Sequence, residues 1–462
     1  MNVTPAAQTC LVFSGWRGKI GAAGLLVGAM AMSTYGSDSL EGPQRGDLPP
    51  VMKSAAKFDL SFPAEWESHD AVWLAWPAHA HETTLPAAPV YLEIIKTLTE
   101  VVKVKILTAT KSAREEITAA LKHRQVPLDK VELIDGINYT EAWVRDFGPI
   151  FLRNTAGTEL GMAIFTQNTW GYQSRSEPEA KMLSAVSGTI AQRLGLPCVK
   201  TSIVGEGGNR SFNGAGVMIG GEAVERQRNP GLTLEEIEAE LKRVLGVQKV
   251  LWVNEGPVND QLPFRGRVPG SDGKTGAFTF GTGGHVDEFV TFVDEHTILL
   301  AEVTGEVARQ NRVRCINRQR FEDAYQRLSM ATDVAGKPFT IIRMPEAPLL
   351  YQVFRPGDYV YESLQDLHYE DGTVFPAGDP IEVMVASSYN NFLVTNGLIL
   401  AQSYYQEGMA ESIRAQDEQA MSILAKAYPA HRIVPIKTLP VNSRGGGIHC
   451  ITQQEPRLNS KN

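Results

Sequence analysis

The stretch Asp70–Ala109 holds the pattern that decides the fold: "DAVWLAWP" (Asp70–Pro77), then "YLEIIKTLTEVV" (Tyr91–Val102), then "VKVKILTA" (Val102–Ala109). The outer runs are short, apolar and rich in Val, Ile and Trp, as expected of buried strands. The middle run carries its apolar residues at helical spacing. Two buried strands joined through an amphipathic helix make a strand–helix–strand unit, the building block of α/β architecture.

The same alternation recurs outward from this unit. Helical patterns in "AKMLSAVSGTIAQRLG", "RQRFEDAYQRLSMA" and "SIRAQDEQAMSILAKAY" are followed by strand-like runs such as "FTIIRM" and "HRIVPI", giving about five units in all. Ser112-x-x-Glu115 and Thr233-x-x-Glu236 fit the capping box and predict helix starts at those positions. The long Gly-rich break Leu262–Gly283 reads as an insertion or a mobile loop. No stretch after Lys57 has the composition of an interdomain linker, so residues 58–458 are expected to form one α/β domain.

Composition agrees with a globular protein: 43% of the 462 residues are hydrophobic and 21% charged. A net charge of −8 and the lack of Lys/Arg clusters with interleaved aromatics argue against a nucleic-acid partner. Arg17 and Lys19 precede the 13-residue apolar run Ile20–Met32, followed by small and polar residues. Residues 1–37 therefore read as an export signal or N-terminal anchor, and 38–57, rich in Pro and Gly, as a flexible linker. The expected location is outside the cytoplasm, or inside it if the segment does not act as a signal. Without residues 1–37 the chain keeps Cys198, Cys315 and Cys450, an odd number that leaves at least one free thiol.

Four polar clusters stand beside strand-like runs: "WVRDFGP" (Trp143–Pro149), "EGGN" (Glu206–Asn209), "GHVDEF" (Gly284–Phe289) and "GGGIHC" (Gly445–Cys450). Taken singly, each has a plain structural explanation. Asp146 after Arg145 suits a surface turn, Gly207-Gly208 suits another, and a cysteine is most often an inert core residue. His285 and Asp287, two apart in a strand-like stretch, are expected to project from one face. That pair suits proton transfer or a metal, but neither HExxH nor CxxC is present, and His79/His81 is the other conceivable ligand pair. Nucleotide-binding and serine-hydrolase signatures are absent too. A cysteine flanked by glycines that let ligand and backbone come close is a candidate nucleophile, provided its surroundings favour the thiolate.

In order along the chain, "PAEWESHDAVWLAWP", "WVRDFGPIF", "QNTWG", "EGGN", "RNPGLTLEEIEAELKRVLGVQKVLWV", "GHVDEF", "SSYNNFLVTNG" and "GGGIHCITQQEP" together resemble the agmatine deiminase and bacterial-type peptidylarginine deiminase family of the guanidine-modifying (pentein) superfamily. The resemblance implies a five-bladed α/β propeller of pseudo-fivefold symmetry with catalytic groups gathered at its centre. It implies that Cys450 attacks a guanidinium carbon, that His285 activates water, and that Asp146 and Asp287 grip the guanidinium nitrogens. It also implies that Glu206 orients the histidine and that Asn391 lies near the nucleophile. Trp143, Trp170 and Gly447 are carried over as substrate contacts, and no metal or cofactor is implied.

The chain departs from that family's pattern at the mouth of the expected site, in the Leu262–Gly283 insertion and in Gly447, where agmatine enzymes typically have asparagine. The expected substrate is agmatine, with an arginyl peptide as the alternative; a guanidine-binding protein without turnover and a metal-dependent hydrolase are the other readings. A homo-oligomer is compatible with all of them.

Overall fold

The computed structural model describes residues 51–77, 81–82 and 84–459, which belong to one compact unit. The expected signal or anchor, residues 38–50 of the expected linker, and His79 lie outside the described residues. Among the described residues, no helix is long and apolar enough to cross a membrane.

The unit read first from the sequence is the first blade. His69–Ala75 and Lys103–Leu107 pair in parallel, with Ala88–Leu98 as the crossover helix. Val90, Tyr91, Ile94, Ile95 and Leu98 recur at helical spacing and are buried, while His69–Ala75, covered on both faces, is apolar almost throughout. The second antiparallel member comes from the far end of the chain: Gln453–Pro456 pairs with His69–Ala75. Its Glu455 carboxylate accepts from the Trp73 indole and from Lys105 Nζ, each at 2.7 Å. The last strand thus closes a ring onto the first.

Four more blades repeat the order, each an antiparallel pair, a crossover helix and a third strand parallel to the second. They are Ile150–Asn154, Leu160–Thr166 and Cys198–Val204; Arg210–Phe212, Val217–Gly221 and Lys249–Val253; Val290–Asp294, Thr297–Glu302 and Thr340–Pro345; and Leu393–Thr395, Leu398–Ser403 and Arg432–Lys437. The chain is a five-bladed α/β propeller, and apolar clusters fill the spaces within and between blades.

Two local expectations are corrected. Val51–Met52 pairs with Cys198–Val199, and Ala55 is fully buried, so ordered packing begins inside the stretch expected to be a linker up to Lys57. The helix Lys111–His123 is capped by Thr110, whose side chain accepts from the Ala113 N–H; Ser112 is already inside the helix. The box at Thr233 does form, with both reciprocal bonds to Glu236.

Leu262–Gly283, expected as an insertion or a mobile loop, is an insertion with strands of its own. Its segments Val268–Pro269 and Gly276–Thr279 join Tyr351–Phe354 and Ile381–Met384 in a four-stranded sheet outside the five blades. Two insertions far apart in sequence share one small core, built on Phe278, Phe354, Tyr361, Leu364 and Ile381. Neither insertion buries enough apolar surface alone to be recognised as structure.

Candidate active site

Each cluster flagged in the sequence arrives from a different part of the ring. Cys450 lies on the segment leading to the closing strand. Asp146 is in the short helix Val144–Phe147, Glu206 precedes the turn Gly207–Asn209, and Asn391 precedes Leu393–Thr395. His285 and Asp287 do not sit on a strand as expected. Val286–Glu288 is a single 3₁₀ turn, held because Asp260 accepts from the N–H groups of Thr282, Gly284 and His285. The turn nevertheless aims both side chains at the same place.

Gly208 marks that place. A Cβ built on it would stand 2.7 Å from His285 Nδ1, 2.9 Å from Asp287 Oδ2 and 3.0 Å from Asp146 Oδ1. Three functional atoms, two from the turn Val286–Glu288 and its cap and one from the helix Val144–Phe147, converge on a spot where only hydrogen fits. Asp146 is held by the Gly208 N–H on Oδ1 and by the Trp170 indole N–H on Oδ2, both at 2.8 Å. Trp170, expected to pack on a substrate chain, is thus a donor that fixes this carboxylate.

The nucleophile candidate is buried, with 4% exposure. Its Sγ accepts from Asn391 Nδ2 at 3.0 Å, and lies 3.6 Å from Asp287 Oδ2 and 3.8 Å from Glu288 Oε1. Burial, then the charges of Asp287, Glu288 and Asp146, push the thiol well above its ordinary range, so the sulfur is protonated in the free site. A cation placed among those acids removes most of that opposition.

His285 has the opposite tendency. Burial disfavours its charge, but Asp146 and Glu206 outweigh burial and raise it to about 9. Its Nε2 donates to Glu206 Oε2 at 3.0 Å, while Nδ1 is buried, has no hydrogen bond among the described residues, and lies 3.9 Å from Asp146 Oδ1. Glu206 is drawn down to about 2 in spite of burial, chiefly by Arg228, whose Nε donates to both its oxygens at 2.8 and 3.0 Å. A fixed carboxylate behind a charged imidazole leaves one N–H free to act on a ligand.

The glycines before Cys450 are explained by what surrounds them. Gly445 has φ of +98° and backs onto the Phe280 carbonyl; a Cβ on Gly446 would meet Trp143 at 2.7 Å and Cys450 Sγ at 3.0 Å. Gly447 faces Asn391 Oδ1 and Gln402, so its place is behind the sulfur's donor rather than among substrate contacts. Trp143, partly buried, lies beside the sulfur, where it can wall a ligand.

Four charged partners, three of them buried and Glu65 partly so, were not singled out from the sequence. Glu288, next to Asp287, faces the thiol with Oε2 unpaired. Glu65 and Arg145 support the segment behind the cysteine, and Arg228 charges Glu206. All four were inside quoted motifs; what marks them is a charge wholly or mostly enclosed by the fold, which a sequence does not display. His81 bonds Glu116 at the surface.

Comparison with known proteins places these residues in context. A family model described as "Porphyromonas-type peptidyl-arginine deiminase" matches residues 61–268 and 271–456. An agmatine deiminase of Medicago truncatula is 28% identical over 409 residues, 86% of this chain and 96% of the plant protein. One of Pseudomonas putida is 29% identical over 405 residues, 85% of this chain and 95% of its own. The solved agmatine deiminase of Enterococcus faecalis superimposes with a TM-score of 0.67 at 24% identity, covering 88% of this chain and 99% of that one.

Proposed function

Since the chain belongs to the Porphyromonas-type peptidyl-arginine deiminase family, we propose that it hydrolyses the guanidino group of agmatine to N-carbamoylputrescine and ammonia. The observation that carries this reading is the placement of Cys450 Sγ 3.6 Å from Asp287, in a site whose other wall is Asp146 beside a charged His285. Two carboxylates facing one point match the planar fork of N–H donors on a guanidinium.

The substrate's positive charge offsets the acids that keep the thiol protonated, and Cys450 gives its proton to solvent as the complex forms. The thiolate attacks the central carbon and forms a C–S bond. His285 gives the Nδ1 proton to the departing nitrogen, the C–N bond breaks, and ammonia leaves an amidino-cysteine. The neutral imidazole then takes a proton from water, hydroxide adds to the same carbon, and as the C–S bond breaks the hydroxyl proton passes to the sulfur, releasing the ureido product and restoring the thiol. Glu206, paired with Arg228, stays ionised through both halves and favours the imidazolium that forms when His285 takes the proton from water.

The inserted sheet favours a small substrate. Phe280, at its edge, lies against Gly445 and faces the rings of Tyr172 and Tyr359 at 6.1 Å each, and Tyr359 donates to Glu141 at 2.7 Å. This aromatic wall beside Trp143 suits a flexible alkyl guanidine better than a peptide backbone. We propose as well that the chain is exported, on the strength of Arg17, Lys19 and the run Ile20–Met32; fractionation of cells expressing the full chain tests that point.

Ammonia release from agmatine and from an arginyl peptide tests the assignment, with Cys450→Ser as control. Agmatine is expected to be turned over by the wild type, and the variant is expected to lose activity by at least ~10³-fold. Release from the peptide alone would refute the substrate; a fully active Cys450→Ser would refute the chemistry.

A further inference from the structure

Acids outnumber cations around Cys450. Asp287, Glu288 and Asp146 all raise the thiol, and each would obstruct its ionisation. Against the same Asp287 oxygen that the sulfur approaches stands a group that the steps above do not use, His449. Its Nδ1 lies 2.8 Å from Asp287 Oδ2, and its Nε2 lies 2.9 and 3.1 Å from the two oxygens of Glu65.

Both ring nitrogens face carboxylate oxygens, which accept and do not donate, so the ring carries both protons. Burial and Arg145 oppose that charge, while Glu65 and Asp287 favour it and prevail. Glu65 is itself held ionised, below the ordinary carboxylate range, by His449 and Arg145 against the effect of burial. Arg145 Nη1 and Gln454 Nε2 donate to it at 3.3 and 3.1 Å. Arg210, Tyr428 and Asp287 line the small cavity behind the ring.

The main chain of His449 is anchored as firmly. Its N–H donates to Asn391 Oδ1 at 2.9 Å, the residue whose Nδ2 reaches the sulfur, and its carbonyl accepts from Arg145 Nε at 3.2 Å. With Oδ2 of Asp287 shared between His449 and the thiol, Oδ1 is left buried with no hydrogen bond among the described residues. That is the oxygen available to a ligand N–H.

We propose that His449 is a positioning residue of the deimination, an imidazolium clamped between Glu65 and Asp287. It orients Asp287 toward the guanidinium and supplies the nearby positive charge that eases ionisation of Cys450. The inference rests on the proposed deiminase chemistry for its kinetic consequence, and on geometry alone for its effect on the thiol.

Two substitutions separate the roles. His449→Asn retains a donor near the Nδ1 position and so keeps the Asp287 contact, but carries no charge. His449→Gln reaches toward Glu65 and gives up Asp287. The first measurement is alkylation of Cys450 by iodoacetamide across pH, followed by mass spectrometry, and it requires no substrate. Both variants are expected to react about tenfold more slowly than the wild type at a given pH, because losing a neighbouring cation raises the thiol by about one unit. The second is steady-state kinetics with agmatine, where His449→Gln is expected to raise KM about tenfold and His449→Asn to keep it within a few-fold.

Glu65→Gln, which leaves the Asp287 contact in place, must slow alkylation in the same direction and serves if either His449 variant fails to fold. Wild-type alkylation profiles in the folded variants, with losses confined to thermal stability, would overturn the proposal. A wild type that turns over no guanidine would overturn the proposed function instead, and the alkylation profiles would still decide the role of His449.

Discussion

Gly208→Ala adds one methyl group at the point where the site's three charged side chains meet. The new carbon would stand 2.7, 2.9 and 3.0 Å from His285 Nδ1, Asp287 Oδ2 and Asp146 Oδ1, each several tenths of an ångström inside an ordinary contact. None of the three can retreat freely. His285 is tied to Glu206, Asp287 to His449, and Asp146 to the Trp170 indole and the Gly208 N–H. Relief by shifting them costs about 1–3 kcal/mol of stability, the usual penalty for overpacking a fixed site. Displacing reacting groups by even part of an ångström also forfeits alignment, so kcat/KM is expected to fall at least ~100-fold.

The matched control is Gly188→Ala, in the helix Pro178–Leu194, where the nearest atom to a new Cβ is 3.9 Å away. Replacing a helical glycine there should leave turnover unchanged and stabilise by about 0.5–1 kcal/mol. Coupled ammonia detection gives the kinetics and urea unfolding the stabilities. Wild-type kcat/KM in Gly208→Ala would refute the claim that the three side chains define one reaction site.

Glu206→Gln removes a hydrogen bond and a charge that raise His285, so the alkaline limb of the kcat/KM profile should move from near pH 9 toward the ordinary histidine value; an unmoved limb would assign it to another group. Because folding raises His285 to about 9, its charge contributes stability fully below about pH 6.5, and that contribution is lost as pH rises through 9. The stability difference between wild type and His285→Asn, followed by thermal melts, should shrink across that window. Thr233→Ala deletes the capping box at the start of Leu234–Leu245 and should cost about 1 kcal/mol in urea unfolding with no change in turnover.

Much of the ring was legible in the chain because its signals are local. The run from Asp70 to Ala109 shows a strand, a helix and a strand through periodicity alone, and Thr233 with Glu236 shows a helix start through a contact three residues long. Ser112 misled because Thr110, two residues earlier, offered the same chemistry in an extended backbone that the helix start requires. The sheet within the Leu262–Gly283 insertion was not legible because Gly276–Thr279 pairs with Ile381–Met384, which in turn pairs with Tyr351–Phe354, pairings with no mark in any of the segments.

Composition, periodicity and eight short motifs by themselves determined the α/β class, the approximate number of units and the residues with competent chemistry, since each depends on neighbours within a turn or a strand. Only the tertiary structure decided which of those residues face one another. Cys450 meets Asp287, and His285 meets Glu206, because closing Gln453–Pro456 onto His69–Ala75 bends the chain into a ring whose centre collects one loop from each blade. The ionisation of these groups was likewise decided there. Burial and the opposing charges that fix it are properties of enclosed space, and no distance along a chain measures them.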